Sequence, residues 1–438
     1  MKKGISLIVL VITIIVIIIM TSTLIISLGN SEIINKANQA VVDSNLQQIQ
    51  HIATLAWSEA YIESMDELNE EKRLETLRES VDKSLENIDV SKYDIKVDLK
   101  GVSVSQRIIP GLYDDNDNLV ASWDELIHTY GVDFEVVRYY PGAYASTALG
   151  TIINSNSELQ IATKLIVARD WDSIPAFAFE NCNTLKNIII PESVIAINQY
   201  AFSNCGKLEN LNIPSSITYV GDNVFDGCRS LRYNEYDNAI YYGNTVNPYH
   251  ILISSKNDEI ISCEINRNTK IIMSGAFADC RHLTNINIPN RVIMIGREAF
   301  AGCSSLISVD IPDSVKVLEY AVFNNCISLT TVELPDSIEI IDLQSFFCCT
   351  SLITIKIPDS IEIMAAVCFY GCASLESIEI PNSVTFIGMN VFEQCTALKT
   401  IRFKGTVEEW NKIEKDGWWN NDMPATEVVC SNGSVVLK

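Results

Sequence analysis

A register of 23 residues governs more than half of this chain. Cys182, Cys205 and Cys228 stand 23 residues apart, and Cys280, Cys303, Cys326, Cys349, Cys372 and Cys395 resume the same step. Proline keeps it too, from Pro191 to Pro214 and from Pro289 through Pro312, Pro335 and Pro358 to Pro381. The common unit reads L-x-x-I-x-I-P-x-S-[VI]-x-x-I-x-x-x-[AV]-F-x-x-C-x-x, as in LKNIIIPESVIAINQYAFSNCGK and LESIEIPNSVTFIGMNVFEQCTA. A unit this short cannot close a core alone, so copies must stack and share one. The interval from Cys228 to Cys280 is 52, or 23 plus 29. IISCEINRNTKIIMSGAFADC is therefore a unit lacking the proline, and residues 231–259 are one enlarged unit with an extra hairpin. Ten units result over residues 162–397, the first degenerate because Ala168 holds the proline position.

Strand chemistry gives the unit its shape. Positions 1, 4 and 6 are apolar and alternate, so each unit contributes one short strand with Ile188 and Ile190, or Ile286 and Ile288, facing inward. The proline then ends the strand, since it cannot donate to a ladder. Phenylalanine recurs at position 18 as Phe202, Phe225, Phe277, Phe300, Phe323, Phe346, Phe369 and Phe392, which predicts a spine through the core. Strands of successive units form a parallel sheet ~4.8 Å apart, so ten units span about 50 Å. The expected fold class is α/β, a solenoid on a parallel β-sheet. These residues resemble the leucine-rich repeat superfamily, in the BspA-like bacterial type with a proline-ended strand. The resemblance implies a cell-surface protein that binds other proteins, or host and matrix components, without catalysis. Residues 398–438 resemble the C-terminal cap of that group, with Trp410, Trp418 and Trp419 covering the last open core face.

The amino terminus follows other rules. From Ile5 to Leu28 there are 24 residues without a charge. As a helix they extend about 36 Å, enough to cross a bilayer. Lys2 and Lys3 precede them, so the positive-inside bias keeps the amino end cytoplasmic and the rest outside. The run is longer than the ~7–15 residues of a secretory signal, and no small-x-small cleavage site interrupts it. Beyond it Ile33, Ile34, Ala37, Val41, Ala53, Ala56 and Trp57 recur at helical spacing. A short basic leader, then Gly4, then an aliphatic segment running into an amphipathic helix resembles the type IV prepilin N-terminus over residues 1–62. That resemblance implies cleavage between Gly4 and Ile5 and a pilin-like transmembrane stem; Val9 stands where the family carries glutamate. The expected location is the bacterial cell membrane, single-pass, with the repeats extracellular.

Residues 63–161 read as an α/β stem and connector. Leu74, Leu77, Val81, Leu85 and Ile88 make one helical stripe, and KYDIKVDL and VSVSQRII alternate as strands. Asp114–Asn118 has the rhythm of a calcium loop but lacks its glycine and its glutamate, so a hairpin turn is expected there. SWDELIHTYG reads as a short helix with Ser122 as N-cap and Glu125 completing a capping box. Residues 138–160, rich in Gly, Ser and Asn, read as a connector.

Composition removes several functions. Lys+Arg 32 against Asp+Glu 55 leaves a formal charge of −23, with no basic stripe to attract phosphate backbones, so no nucleic acid is expected. The four histidines, His51, His128, His250 and His282, show no metal-ligand spacing. No nucleophile–base pair is visible, and neither an enzyme nor a cofactor is expected. Nine of the thirteen cysteines hold position 21, with side chains running parallel into the core and not at one another. Cys263 and Cys368 replace core residues, which leaves Cys348 and Cys430 as the two with prospects of exposure.

Strand positions 3 and 5 point away from the core. Position 3 holds small polar residues, from Asn187 and Asn210 through Ser262, Asn285, Ser308, Thr331, Thr354 and Ser377 to Thr400. They suit a solvated sheet and a ligand equally. Position 5 varies in charge against uniform neighbours: after Ile189 and Asn212 come Glu264, Asn287, Asp310, Glu333, Lys356, Glu379 and Arg402. These seven are the candidate binding face, for a protein or a cell-surface or matrix ligand. The alternative is a minor pilin or pseudopilin subunit that carries the solenoid on a filament or secretion apparatus.

Overall fold

The computed structural model describes residues 46–61, 64, 69–86, 88, 93–106, 110–129 and 149–437, apart from isolated positions within those ranges. Gly4, Ile5 and the apolar stretch to Leu28 lie outside the described residues. Among the described residues no helix is long and apolar enough to cross a membrane. The chain divides into two compact units, one of Met1–Ile109 with Asn116–Asn118, the other of Pro110–Asp115 with Leu119–Lys438.

In the first unit, helical residues 52–61 and the helix Glu70–Leu85 pack with an antiparallel hairpin of Tyr93–Asp98 and Gly101–Gln106. Leu77, Val81 and Leu85 are buried at four-residue spacing, as the stripe requires. Ile49, Ala53 and Ala56 face Val81 and Leu85, with Ile95, Val97, Val102 and Val104 of the hairpin against them.

The second unit begins with a hairpin of Gly111–Tyr113 and Leu119–Ser122. Ser122 and Glu125 form the reciprocal capping box of the helix Trp123–His128. Gly111–Tyr113 pairs antiparallel with the first repeat strand, Lys164–Ile166, and so covers the sheet's first edge. The connector reading of 138–160 fails where it can be compared: Leu149–Ser155 is a helix whose Leu149 and Ile153 are buried in the repeat core. Seven residues are too few for a helical period to emerge from sequence. Gly150 lets that helix lie on the first turn, since a Cβ there would stand 1.9 Å from the Glu180 carbonyl oxygen.

The repeats form a parallel-sheet β-solenoid of about 11 turns. Strands at positions 3–5 pair in parallel, as Asn187–Ile189 does with Asn210–Asn212 and Ser308–Asp310 with Thr331–Glu333. The expectation of one strand per unit is corrected. Positions 12–13 form a second parallel ladder, for example Val317–Leu318, Ile340–Ile341, Ile363–Met364 and Phe386–Ile387. The α/β class is corrected as well, since among the described residues of the repeats there is no helix. Positions 16 and 20 adopt left-handed backbone in unit after unit, as at Tyr200 and Asn204, Gly275 and Asp279, and Ala321 and Asn325. A left-handed residue every fourth place cannot belong to a right-handed helix. It turns alternate amides outward along the stack instead. The amides of Gly275, Phe277 and Asp279 donate to the carbonyls of Arg297, Ala299 and Ala301 at 2.9, 2.8 and 2.7 Å, a third ladder.

Side chains reinforce the stack. Position 18 rings lie face to face, with centroids 5.4 Å apart for Phe277–Phe300, 5.5 Å for Phe300–Phe323 and 5.6 Å for Phe323–Phe346. The position 9 serine donates to the position 10 carbonyl one unit back, as Ser337 does to Val315 at 2.7 Å. The position 21 thiol donates to the Phe carbonyl of the preceding unit, Cys326 to Phe300 at 3.2 Å. Cysteine here is a ladder donor as well as an apolar filler.

Residues 231–259 interrupt all of this. Asn234–Tyr236, Ala239–Tyr242 and Ile251–Ser255 form an antiparallel meander, whose last strand enters the second ladder beside Ile271–Ile272. The predicted spine breaks here: Phe225 meets Tyr242 at 5.7 Å, and Phe277 starts a new stack. Past the local turn at Leu231, among the described residues, no backbone-to-backbone hydrogen bond joins residues 208–230 to the turns after them. Side chains replace the missing ladder. The Tyr242 hydroxyl accepts from the Leu211 amide at 2.9 Å and donates to the Leu211 carbonyl at 3.0 Å. Asn244 donates to the Ile213 carbonyl at 2.8 Å, Lys270 to that of Ser215 at 3.1 Å, and His250 Nε2 lies 3.1 Å from that of Ile217. The buried apolar residues form two clusters that interlock at this joint: Tyr242, Ile251, Ile271 and Met273 pack with the earlier turns, and Ala239, Tyr241, Leu252 and Ile272 with the later ones.

At the far end the ladders run on past residue 397. Thr400–Phe403 and Glu427–Cys430 extend the first, and Glu414–Lys415 the second. Gly433–Val436 then closes the edge antiparallel. Trp410 and Trp419 are buried over the last turn, but Trp418 is 64% exposed and covers nothing, a correction to its expected role. Its neighbour Trp419 takes the inward place, edge-on to Trp410 with ring centroids 5.5 Å apart.

Candidate binding surface

Position 5 is an outward strand position, and all seven candidate residues are exposed there while positions 4 and 6 are buried. The register aligns them in two runs. Glu264 is opposite Asn287, and Asp310 is opposite Glu333. Lys356 bridges to Glu379, which is opposite Arg402. Between Glu333 and Lys356 the described residues make no strand pairing, and the two turns are joined beside it by the Ile353 amide donating to the Thr330 carbonyl at 3.3 Å.

The carboxylates differ in their partners. Glu264 belongs to the splice: its amide donates to Asp237 at 2.8 Å and its carboxylate accepts from the Tyr236 hydroxyl at 3.1 Å. Glu379 lies 3.7 Å from the Lys404 amine, which is also bound to Asp359. That bond to Asp359 raises the Lys404 pKa. Asp310 and Glu333 make no ion pair among the described residues, although strand register sets them against each other. At position 3, Asn210 donates its side-chain amide to Asn187 at 2.9 Å, so part of that line is bonded along the sheet.

Elsewhere the titratable groups are structural. Burial pushes the Cys263 and Cys326 thiols up to about 12. All thirteen cysteines are free, and Cys348 alone is half-buried, whereas Cys430, expected to be exposed, is 7% exposed beneath the closing strand. Burial lowers the His250 pKa, against the pull of the Ile217 carbonyl. Among the described residues no group of three His, Cys, Asp or Glu could hold a metal ion. Sequence reading missed the side-chain splice; its signal was the density of Tyr, Asn and Asp in 233–250, a stretch where the other units carry aliphatics.

Stacked 23-residue turns, a strand with leucine and isoleucine inward, and a polar outward face define a leucine-rich repeat solenoid. The chain belongs to the BspA type leucine rich repeat family, whose profile matches residues 155–245, 254–364 and 317–415. Leucine-rich repeat solenoids are typically non-enzymatic binding scaffolds. No curated protein matches the chain. Among solved structures it is similar to a leucine rich cell surface protein from Faecalibacterium prausnitzii, at 28% identity over 59% of this chain and 64% of that one, TM-score 0.31. The chain thus spans 64% of that relative's length. It is also similar to leucine-rich repeat proteins from Bacteroides ovatus (26% identity, 59% and 83% covered, TM-score 0.27) and Eubacterium ventriosum (17%, 62% and 87%, TM-score 0.39).

Proposed function

We propose that this chain is a membrane-anchored surface protein that binds a protein or matrix partner, without catalysis, through the outward face of its first ladder. One observation carries the reading: Asp310 and Glu333 are held side by side on an exposed strand face and make no ion pair among the described residues. Like charges directly opposite destabilise a sheet. The fold does not ask for them, since the same strand position holds asparagine at Asn212 and Asn287. A partner with basic groups would gain association rate from such a stripe and lose it in salt. Anchoring rests on the stretch Ile5–Leu28 and on the leader ending at Gly4. A filament or secretion-apparatus subunit is the second reading, favoured by the same leader and opposed by Val9.

The test is capture of surface or matrix proteins by Asp310→Lys with Glu333→Lys, against a control carrying Asp226→Lys with Asp313→Lys. Exposed charges contribute little to folding, so both double variants should melt like the parent. Reduced capture by the first pair alone supports the reading. Equal capture by both would reduce this face to solvated scaffold.

A further inference from the structure

Because every turn repeats one backbone, early turns reveal what the fold itself needs at each position. Position 15 holds Gln199, Asp222, Ser274 and Arg297 in the earlier units, so the backbone there is content with polar side chains. From residue 306 onward the same position is apolar without interruption: Tyr320, Leu343, Ala366 and Met389. Trp418 continues the line, because its carbonyl accepts from the Asn390 amide as position 15 carbonyls do from position 16 amides. Leu343 is 41% exposed, Met389 45% and Trp418 64%. Beside them, on the second ladder, position 12 presents half-buried Val317, Ile340, Ile363 and Phe386. At its near end the Arg297 guanidinium lies over the Tyr320 ring, 4.8 Å from its centroid; Leu343, Met389 and Trp418 beyond it are exposed among the described residues.

Its rim is acidic. Positions 11 and 14 of these turns hold Glu319, Glu339, Asp342 and Glu362 against the single base Lys316, itself paired with Glu339 at 3.1 Å. Burial raises the Glu319 pKa and Asp342 adds to the effect, while Arg297 at the near end opposes it; Glu339, Asp342 and Glu362 further along are the carboxylates open to an arriving cation. A second copy would instead bring acid onto acid, in a chain of net charge −23. Five turns at ~4.8 Å make a line about 19 Å long, the length of roughly 13 helical residues.

We propose that this face, on the second ladder and distinct from the position 5 stripe, docks an amphipathic helix with an apolar ridge and lysine or arginine along its edges. Apolar side chains of the helix lie on Leu343, Met389 and Trp418, and its basic edge meets Glu339, Asp342 and Glu362. The proposal does not depend on the position 5 reading.

The probe is a synthetic 14-residue peptide of leucine at helical spacing and lysine elsewhere, titrated calorimetrically into the full-length chain. The expected result is one peptide bound per chain, with a scrambled peptide and a glutamate-for-lysine peptide each at least about tenfold weaker. Leu343→Gln with Met389→Gln should weaken binding at least about tenfold with an unchanged melting curve, since this position already accepts Gln199. Asp310→Lys with Glu333→Lys should leave peptide binding unchanged, which separates this face from the other. Equal binding of the scrambled peptide, or undiminished binding by the glutamine variant, would overturn the proposal. So would a wild-type dimer that the glutamine variant abolishes, because the occupant would then be a second copy.

Discussion

Tyr242→Phe isolates the splice at the enlarged unit. The substitution keeps the ring against Phe225, 5.7 Å away, and removes only the hydroxyl. That hydroxyl serves both backbone groups of Leu211, at 2.9 and 3.0 Å, and Leu211 is 3% exposed. Two buried polar groups lose their partner at once. Each costs about 1–3 kcal/mol when orphaned, so the expected loss is about 2–6 kcal/mol. No neighbouring carbonyl can step in, because no backbone ladder crosses here. Hydrogen exchange reads the outcome residue by residue. The Leu211 amide should exchange at least about 30-fold and up to about 20,000-fold faster, at about 1.4 kcal/mol per tenfold. The Phe300 amide, bonded to Val322 at 3.0 Å on the far side of the splice, should keep its protection, since solenoid stability is a nearest-neighbour sum. An unchanged Leu211 amide would refute the tyrosine's role as substitute strand. Equal loss at both amides would refute the separation into two blocks.

Three further outcomes follow from the same geometry. Phe323→Ala removes a fully buried ring stacked on Phe300 and Phe346 and should cost roughly 3–5 kcal/mol; exchange should weaken around residues 306–351, and intact protection there would refute the register. The buried thiols make stability fall at alkaline pH: folded Cys263 and Cys326 are pushed up to about 12 from 9.0, so the unfolded chain releases their protons first and stability declines above about pH 9. Cys326→Ser keeps a donor for the Phe300 carbonyl but does not titrate, so its melting temperature should fall less between pH 8 and 11 than that of the parent. Finally, mature protein in the membrane fraction should begin at Ile5; a mature terminus near Asn30 in the medium would mean a cleaved secretory signal.

What sequence could reveal depended on whether one residue type reports one requirement. The inward line of Leu283, Ile286 and Ile288, with Pro289 after it, states its strand directly, and that strand lies where the spacing predicts. The second ladder was hidden because its outward residue, position 12, ranges from Ala196 to Phe386 and shows no alternation within two residues. The left-handed turn at position 16 is occupied by Tyr200, Glu298, Ala321 and Val367, types that avoid this backbone. There the stack imposes the conformation through the third ladder, so local propensity is silent. Position 20 is more candid, with Asn181, Asn204, Gly227, Gly302, Asn325 and Gly371. The position 5 stripe and the apolar line at position 15 are legible on the same grounds, because outward residues are free to vary.

The three ladders also bear on how such a chain changes length. From Leu283 to Ala397 each turn repeats the third ladder and the ring stack, although strand pairing lapses in the second ladder between Ile295 and Val317 and in the first between Glu333 and Lys356. An in-frame loss or duplication of 23 codons within that span rejoins equivalent surfaces and merely shortens or lengthens the rod by about 4.8 Å. Residues 231–259 have no such freedom. Their hydroxyls and amides are fitted to Leu211 and Ile213 on one side and to Ser262 and Asn266 on the other. Recombination can therefore edit the rod on either side of this joint while the joint itself is inherited whole.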